Sequence, residues 1–365
     1  MNAELTDKLA RLRALVAAEK AAGALVNLQA NFAWLAGGGE AHVALISERA
    51  AGHLLVTPEA VYLLANRIEM PRLLAEPAAG LQPEPLLHEW AEAGAAERAL
   101  RAVVDPRKLI SDTGDFGSRA RPELIKELRY ALHPAEVKRL TALGRDAEAA
   151  MNATCRALTP GLSENAIAGR LGAACWERDI TPAVLLIAVD ERIQRYRHPL
   201  PTPKQVKRLA MLVLCARRHG LIVSLTRLVS FGPLTRELRR RHDAVCGIDA
   251  AFIAATEVGA AVREVFGAGR KAYAAAGYPD EWKLHHQGGP CGYAPRDYVG
   301  TPDVAGRVLA NQAYAWNPSI TGTKSEDTIL ATPKGPRIIT AAQDWPMVAA
   351  GAGGLSLPRP DILVV

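Results

Sequence analysis

Three histidines and one glutamate stand where proton chemistry is most easily built from this sequence. His198 sits in Arg195-Tyr-Arg-His-Pro-Leu-Pro-Thr202, a loop punctuated by prolines. An imidazole titrates near neutrality, so it can take and return a proton within one turnover. His285 and His286 open His285-His-Gln-Gly-Gly-Pro-Cys-Gly-Tyr293, and an imidazole N–H there can donate to a carbonyl oxygen or a developing oxyanion. Glu326, in Lys324-Ser-Glu-Asp-Thr-Ile-Leu330, offers a carboxylate to a substrate N–H, a cation or a water. Its structural alternative is an ion pair with Lys324 or Arg227. Arg227 follows Thr226 and is either a fixed structural arginine or a carboxylate ligand. Arg296, just past the glycine-rich turn with Tyr293 and Asp297, suits bidentate capture of a carboxylate. Cys291 beside two histidines is a weak candidate nucleophile. The Gly288–Gly292 turn lacks the Lys-Ser/Thr of a phosphate-binding loop.

These residues need elements to hold them. Leu209–Gly232 reads as strand, tight turn at His219-Gly220, and strand, without an Asp or Glu anywhere between Lys204 and Arg236. The pattern around it is helix–helix–strand–strand, twice over. Helices at 135–157 and 163–178 lead to strands near 182–189, 210–217 and 221–230. Helices at 235–256 and 261–276 lead to strands near 290–294, 313–318 and 327–332. Ser163 is a fitting N-cap and Gly277 a fitting stop. Upstream, short apolar runs at 24–28, 43–46, 52–56 and 61–64 predict a small sheet, with a strand-like Leu109-Ile-Ser. Helical patterns lie near 69–74, 85–97 and 122–132. His133-Pro134 interrupts the pattern and places a boundary between domains 1–132 and 133–365.

Composition bounds the rest. With 365 residues, 49% hydrophobic and 22% charged, the chain is long enough for two ordinary globular domains. Leu209–Ala216, the longest apolar run, is too short for a bilayer. The charged, amphipathic start, with Leu5, Leu9, Leu12 and Leu15, reads as a surface helix rather than a signal peptide, so a cytoplasmic location and no membrane partner are expected. Five dispersed cysteines predict reduced, buried thiols. The net charge of +6 is interspersed with acids, and Arg236–His242 reads as a solvated helix face, so no nucleic-acid partner is expected.

In order and spacing, the segments around His198, Leu209–Gly232, His285–Tyr293, Ala313-Tyr-Ala-Trp-Asn-Pro-Ser319 and Lys324–Leu330 resemble the creatinase/aminopeptidase P/methionine aminopeptidase superfamily. Asn31-Phe-Ala-Trp-Leu-Ala-Gly37 is similar to a short signature of creatinase-type N-terminal domains. The resemblance implies an α/β (α+β) protein: a creatinase-like N-terminal domain, then a pita-bread domain. It also implies a homodimer. The superfamily's metallopeptidases hold two metal ions with Asp, Asp, His, Glu and Glu. At the matching positions this chain has Val213, Ser224, Gly289, Asn317 and Glu326, and no register of the 204–236 stretch supplies a carboxylate. Such ions need several carboxylate or imidazole ligands at once, so no metal and no other cofactor is expected. In creatinase, a metal-free member, the histidine matching His198 is the catalytic acid/base.

The expected function is therefore metal-independent hydrolysis of a C–N bond in a small, polar, carboxylate-bearing compound. His198 is the expected acid/base and His285 the electrophile or second acid/base. Glu326 and Asn317 would bind substrate nitrogen, Arg227 or Arg296 its carboxylate, with Ser224 and Tyr293 lining the site. Asn317 offers both a donor and an acceptor, which suits a neutral amide or urea better than a guanidinium. A retired binding module and a non-hydrolytic lyase are the alternatives.

Overall fold

The computed structural model describes residues 2–352 and 355–365. The chain divides into two compact units, Met1–Glu136 with His219–Leu221, and the remainder from Val137 to Val365. The division falls four residues beyond the expected boundary, inside the helix that begins at Pro134.

The first unit is built on a six-stranded sheet in the order β4-β3-β2-β1-β5-β6. Its strands are β1 (Gly23–Leu28), β2 (Arg49–Val56), β3 (Val61–Asn66), β4 (Glu84–His88), β5 (Leu109–Ser111) and β6 (Arg119–Ala120). Helices α1 (Ala3–Ala18), α2 (Gln29–Leu35), α3 (Met70–Ala75), α4 (Ala95–Arg101) and α5 (Pro122–Glu127) accompany it. Asn2 caps α1 through its side chain, and Leu5, Leu9, Leu12 and Val16 bury one face at helical spacing. The Asn31 motif has a structural reason. Asp112 accepts hydrogen bonds from Asn27 N (2.9 Å), Leu28 N (3.0 Å) and Asn31 Nδ2 (3.0 Å), holding the entry into α2.

Two expectations fail here. Residues 43–46 form no strand: Val43, Leu45 and Ile46 are exposed, Ile46 at 95%. The 85–97 helix is strand β4 followed by a turn and α4. An apolar run this short carries too little periodicity to separate strand from helix.

The second unit repeats the expected pattern. Helices α6 (Pro134–Arg156) and α7 (Glu164–Trp176) precede β7 (Thr181–Val189), the short α8 (Glu191–Arg195), β8 (Leu209–Arg218) and β9 (Leu221–Ser230). Helices α9 (Arg236–Ala255) and α10 (Val262–Ala275) precede β10 (Gly288–Cys291), β11 (Ala313–Trp316), β12 (Ser319–Ile320), β13 (Thr323–Lys324) and β14 (Asp327–Thr332). Ser163 and Thr235 cap α7 and α9, and Gly277 follows α10 at φ 85°. His219 and Gly220 both take positive φ (53° and 73°), the geometry of a two-residue hairpin turn. Sequence patterning did not reveal β15 (Gly335–Ile338), β16 (Met347–Ala352), β17 (Leu355–Pro360) or β18 (Leu363–Val364).

Two four-stranded sheets result, β18-β9-β8-β7 and β10-β11-β14-β15. They are joined through β9: Ile222 N donates to Gly292 O (2.7 Å), Ser224 N to Thr328 Oγ1 (2.7 Å) and Thr226 N to Glu326 O (3.1 Å). That junction brings alternate residues of β9 against the chain leading into β14. The core behind the second sheet is aromatic. Phe252 stacks on Trp316 with ring centres 4.8 Å apart, and Gly269 of α10 lies directly under Phe252. All five cysteines are free and buried.

Candidate active site

Each chemical group of the second unit is held by an identifiable anchor. His198 lies on the loop between α8 and β8. Glu164, fully buried at the start of α7, accepts hydrogen bonds from Val189 N (2.9 Å), Thr202 N (2.9 Å), Thr202 Oγ1 (2.6 Å) and Arg192 Nε (2.9 Å). One carboxylate thus fixes both ends of the His198 loop. Arg197 donates to Glu281 (2.9 Å) and to Thr321 Oγ1 (2.9 Å), tying the loop to the short turn just before His285.

The three imidazoles come together. His198 Nε2 is 3.1 Å from His285 Nε2, and the His286 ring centre lies 5.6 Å from that of His198. His285 is buried while His198 and His286 keep an edge in solvent. Burial, reinforced by Lys324, pushes His285 down to about 2. Burial and then Arg296 push His286 down to about 4. His198 is also lowered, by partial desolvation and then by Lys324. With their pKa values lowered, all three are neutral at pH 7.

Next to them lies a compact charge cluster. The Glu326 carboxylate accepts from Lys324 Nζ (2.7 Å), Thr226 Oγ1 (2.7 Å) and Arg296 NH2 (3.1 Å). Burial opposes its ionisation, but Lys324 and Arg296 outweigh burial and hold it at about 2. Both oxygens are engaged, and the Lys324 contact is the ion pair that the sequence offers as the structural alternative for Glu326. The carboxylate holds two cations together. Ser224 lies beneath, its hydroxyl 3.2 Å from Cys215 Sγ and 3.4 Å from Arg296 NH1. Asn317 is buried and its Oδ1 has no hydrogen-bond partner. Tyr293 is buried just past β10.

Arg227 is not brought to this cluster. Its guanidinium donates to Thr226 O (2.8 Å), Asp327 Oδ1 (3.0 Å) and Thr340 O (3.1 Å). Side chains alternate along a strand, so Asp327 faces away from Glu326 and takes Arg227 with it. Cys291 is fully buried and desolvation pushes its thiol up to about 12, which rules it out as a thiolate nucleophile at neutral pH. Lys324 and His286 belong to the cluster although neither is among the residues assigned a role from the sequence. The signal was there: Lys324 and Glu326 are two apart, the spacing that shares a face in extended chain.

The residues that the sequence resemblance matches to the superfamily's metal positions fit a two-metal donor set poorly. Val213 is apolar, Ser224 is bonded as described, and Glu326 already accepts from Lys324, Thr226 and Arg296. Gly289 has no side chain and no room for one: a Cβ there would meet Tyr298 O at 2.5 Å. Among the described residues, the one group of three side chains able to hold an ion is His198, His285 and His286, whose ligand atoms lie within 4.8 Å of one another. Lys324 and Arg296 act against a positive charge at these imidazoles, and the Glu326 carboxylate acts for one.

The comparisons agree with this architecture. The prolidase from Thermococcus sibiricus is similar over 100% of both chains, with a TM-score of 0.81 at 15% identity. Dipeptidase PepE from Mycobacterium ulcerans has a TM-score of 0.79 at 16% identity, over 100% of this chain and 98% of that one. The N-terminal domain of a FACT complex subunit from chickpea (Cicer arietinum) has a TM-score of 0.70 at 11% identity, over 93% and 97%. At these identities the likeness establishes the fold. Among curated proteins, no match was found. No helix among the described residues is long and apolar enough to cross a membrane. The sequence profile of metallopeptidase family M24 matches residues 138–333, more than half of the chain, and with the duplicated fold built around one cluster of polar residues, this chain belongs to that family.

Proposed function

We propose that the chain is a hydrolase of the M24 scaffold that works without the family's two-metal centre. It would cleave a C–N bond, of amide, urea or amidine type, in a small polar compound bearing a carboxylate. The observation that carries this reading is the pairing of His198 with His285 beside the Lys324–Glu326–Arg296 cluster. A neutral His198 accepts the proton of the attacking water and returns it to the leaving nitrogen. His285, neutral and buried, donates an N–H to the carbonyl oxygen as negative charge develops there. In the resting protein one imidazole donates to the other, so that bond is exchanged for bonds to substrate and water. Asn317, with an unpartnered Oδ1, accepts from a substrate N–H. A homodimer is part of this proposal, on the resemblance to creatinase.

The test is product formation over a panel of Xaa-Pro dipeptides, amides, ureas and guanidino acids, with and without a chelator, alongside elemental analysis. Activity that survives chelation in protein free of bound metal is expected. Loss of activity on chelation, restored by a divalent ion, would refute metal independence. In active protein, His198→Ala should lower turnover by roughly a hundredfold or more, the usual range of general acid/base catalysis. A second reading, a silent binding protein on the same scaffold, draws on the Glu326 carboxylate, which already accepts from Lys324, Thr226 and Arg296. A chain that binds members of the panel without turning any over would favour it.

A further inference from the structure

The cluster around Glu326 carries more positive than negative charge. Lys324 is 5% exposed and Glu326 2%, and the Arg296 side chain is 12% exposed. Lys324 and Arg296 both lean on the one carboxylate, at 2.7 and 3.1 Å. The three imidazoles add no charge at pH 7, and the fixed charges that act on them are Lys324, Arg296 and Glu326. Those three sum to one positive charge, and Asp297, buried next in sequence to Arg296, is not one of them. An uncompensated buried charge is costly, and an anion seated beside it removes that cost.

Donors remain to receive such an anion. The Lys324 ammonium has three N–H groups, and its described hydrogen bond is the one to Glu326. Arg296 Nε is buried with no partner, as is His285 Nδ1. The solvent-facing edges of His198 and His286 leave the cluster reachable from outside.

We infer that Lys324 and Arg296, gathered on the Glu326 carboxylate, form a binding site for one carboxylate group of a ligand. A monoanion matches the single excess charge, whereas a phosphate dianion overshoots it. A guanidinium and an ammonium at one carboxylate also give the planar fork and point charge such groups pair with well. In this arrangement Glu326 is the internal counter-ion that keeps the two cations together, and Lys324 is a ligand-binding residue in its own right. The inference deepens the proposed reaction by placing the anionic group of its substrate, and it rests on that reading only for the ligand being a substrate. Binding is measured without turnover, so either can fail alone.

The experiment titrates the full-length protein with acetate and with N-acetylglycine, with phosphate and chloride as controls. Binding is followed calorimetrically and through the imidazole resonances of His198 and His286. The expected result is saturable binding of both carboxylates and an upward shift of both imidazole pKa values when the site is filled. Lys324→Met and Arg296→Gln should each weaken binding roughly tenfold or more, about 1.4 kcal/mol, while Lys324→Arg retains it. If Lys324→Met does not fold, Arg296→Gln at the edge of the cluster decides alone. Absence of carboxylate binding, equal affinity in Arg296→Gln, binding that leaves both imidazoles unmoved, or a preference for phosphate would each overturn the inference.

Discussion

Asp327 offers the sharpest test of how this domain is held together. Its Oδ1 accepts from Arg227 NH2 (3.0 Å) and Thr340 Oγ1 (2.7 Å), and its Oδ2 from Arg359 NH2 (2.6 Å). Arg359 also meets Asp249 Oδ2 at 2.7 Å. The four ionic side chains are 1% exposed or less. Two guanidiniums and two carboxylates balance; Asp327→Ala leaves two cations against one anion in the dry interior. Removing one partner of a buried ion pair costs about 3–5 kcal/mol. The unit that holds the network spans 226 residues, a size at which each kcal/mol moves Tm by about 2–4 °C, so a fall of roughly 6–20 °C is expected. Urea titration and calorimetry on the variant measure it. The double variant Arg227→Met, Asp327→Leu removes one charge of each sign and leaves Arg359 with Asp249. It should lose less than the single variant, because replacing a whole buried pair by apolar groups is often close to neutral. A single variant that loses under about 1 kcal/mol, the worth of an exposed pair, would refute the reading of a dehydrated, interdependent network.

Acid should destabilise the protein early. His285 and His286 have folded pKa values of about 2 and about 4 against about 6.5 when unfolded. Below about pH 6.5 the unfolded chain binds protons the native one refuses, so stability falls as pH drops through that window; a flat urea midpoint from pH 7 to 4 would contradict this. If His198 is the base of an active enzyme, the acid limb of kcat/KM should bend below the ordinary histidine pKa, since its pKa is lowered, and a bend above pH 7 would count against it. Gly269→Ala should destabilise by about 1–3 kcal/mol, because its Cβ would lie 2.0 Å from the Phe252 ring; an unchanged Tm would show that the ring has room to move. Light scattering should give a homodimer, and monomer alone at micromolar concentration would remove that part of the proposal.

The sequence was most legible where periodicity was long. Helices α6, α7, α9 and α10 and the β8–β9 hairpin fall within two residues of their expected ends, because each buries a stripe over many residues. Residues 43–46 and 84–88 misled because an apolar run of two to four residues fits either period. Strands β15 to β17 went unread because Gly or Pro interrupts each, and β18 because it is two residues long and pairs with β9, far back along the chain. At the site, the residue types drew attention to His198, His285 and Arg296, but not to who holds whom. Glu326 reads as a substrate ligand or a partner of Lys324, and the second cation on it, Arg296, stands thirty residues away and meets the same carboxylate only in three dimensions. Arg227 looked equally available until alternation along β14 put Asp327 behind it.

The bare Cα of Gly289 also bears on what this protein can become. Tyr298 O occupies the space a side chain would need, so a histidine at 289 would not fit until the 298–300 backbone gave way. On the proposed metal-free reading, with Val213 and Ser224 as they are, that shift alone would bring no ligand set. A dinuclear centre would have to be built on this scaffold by several changes together, not by one.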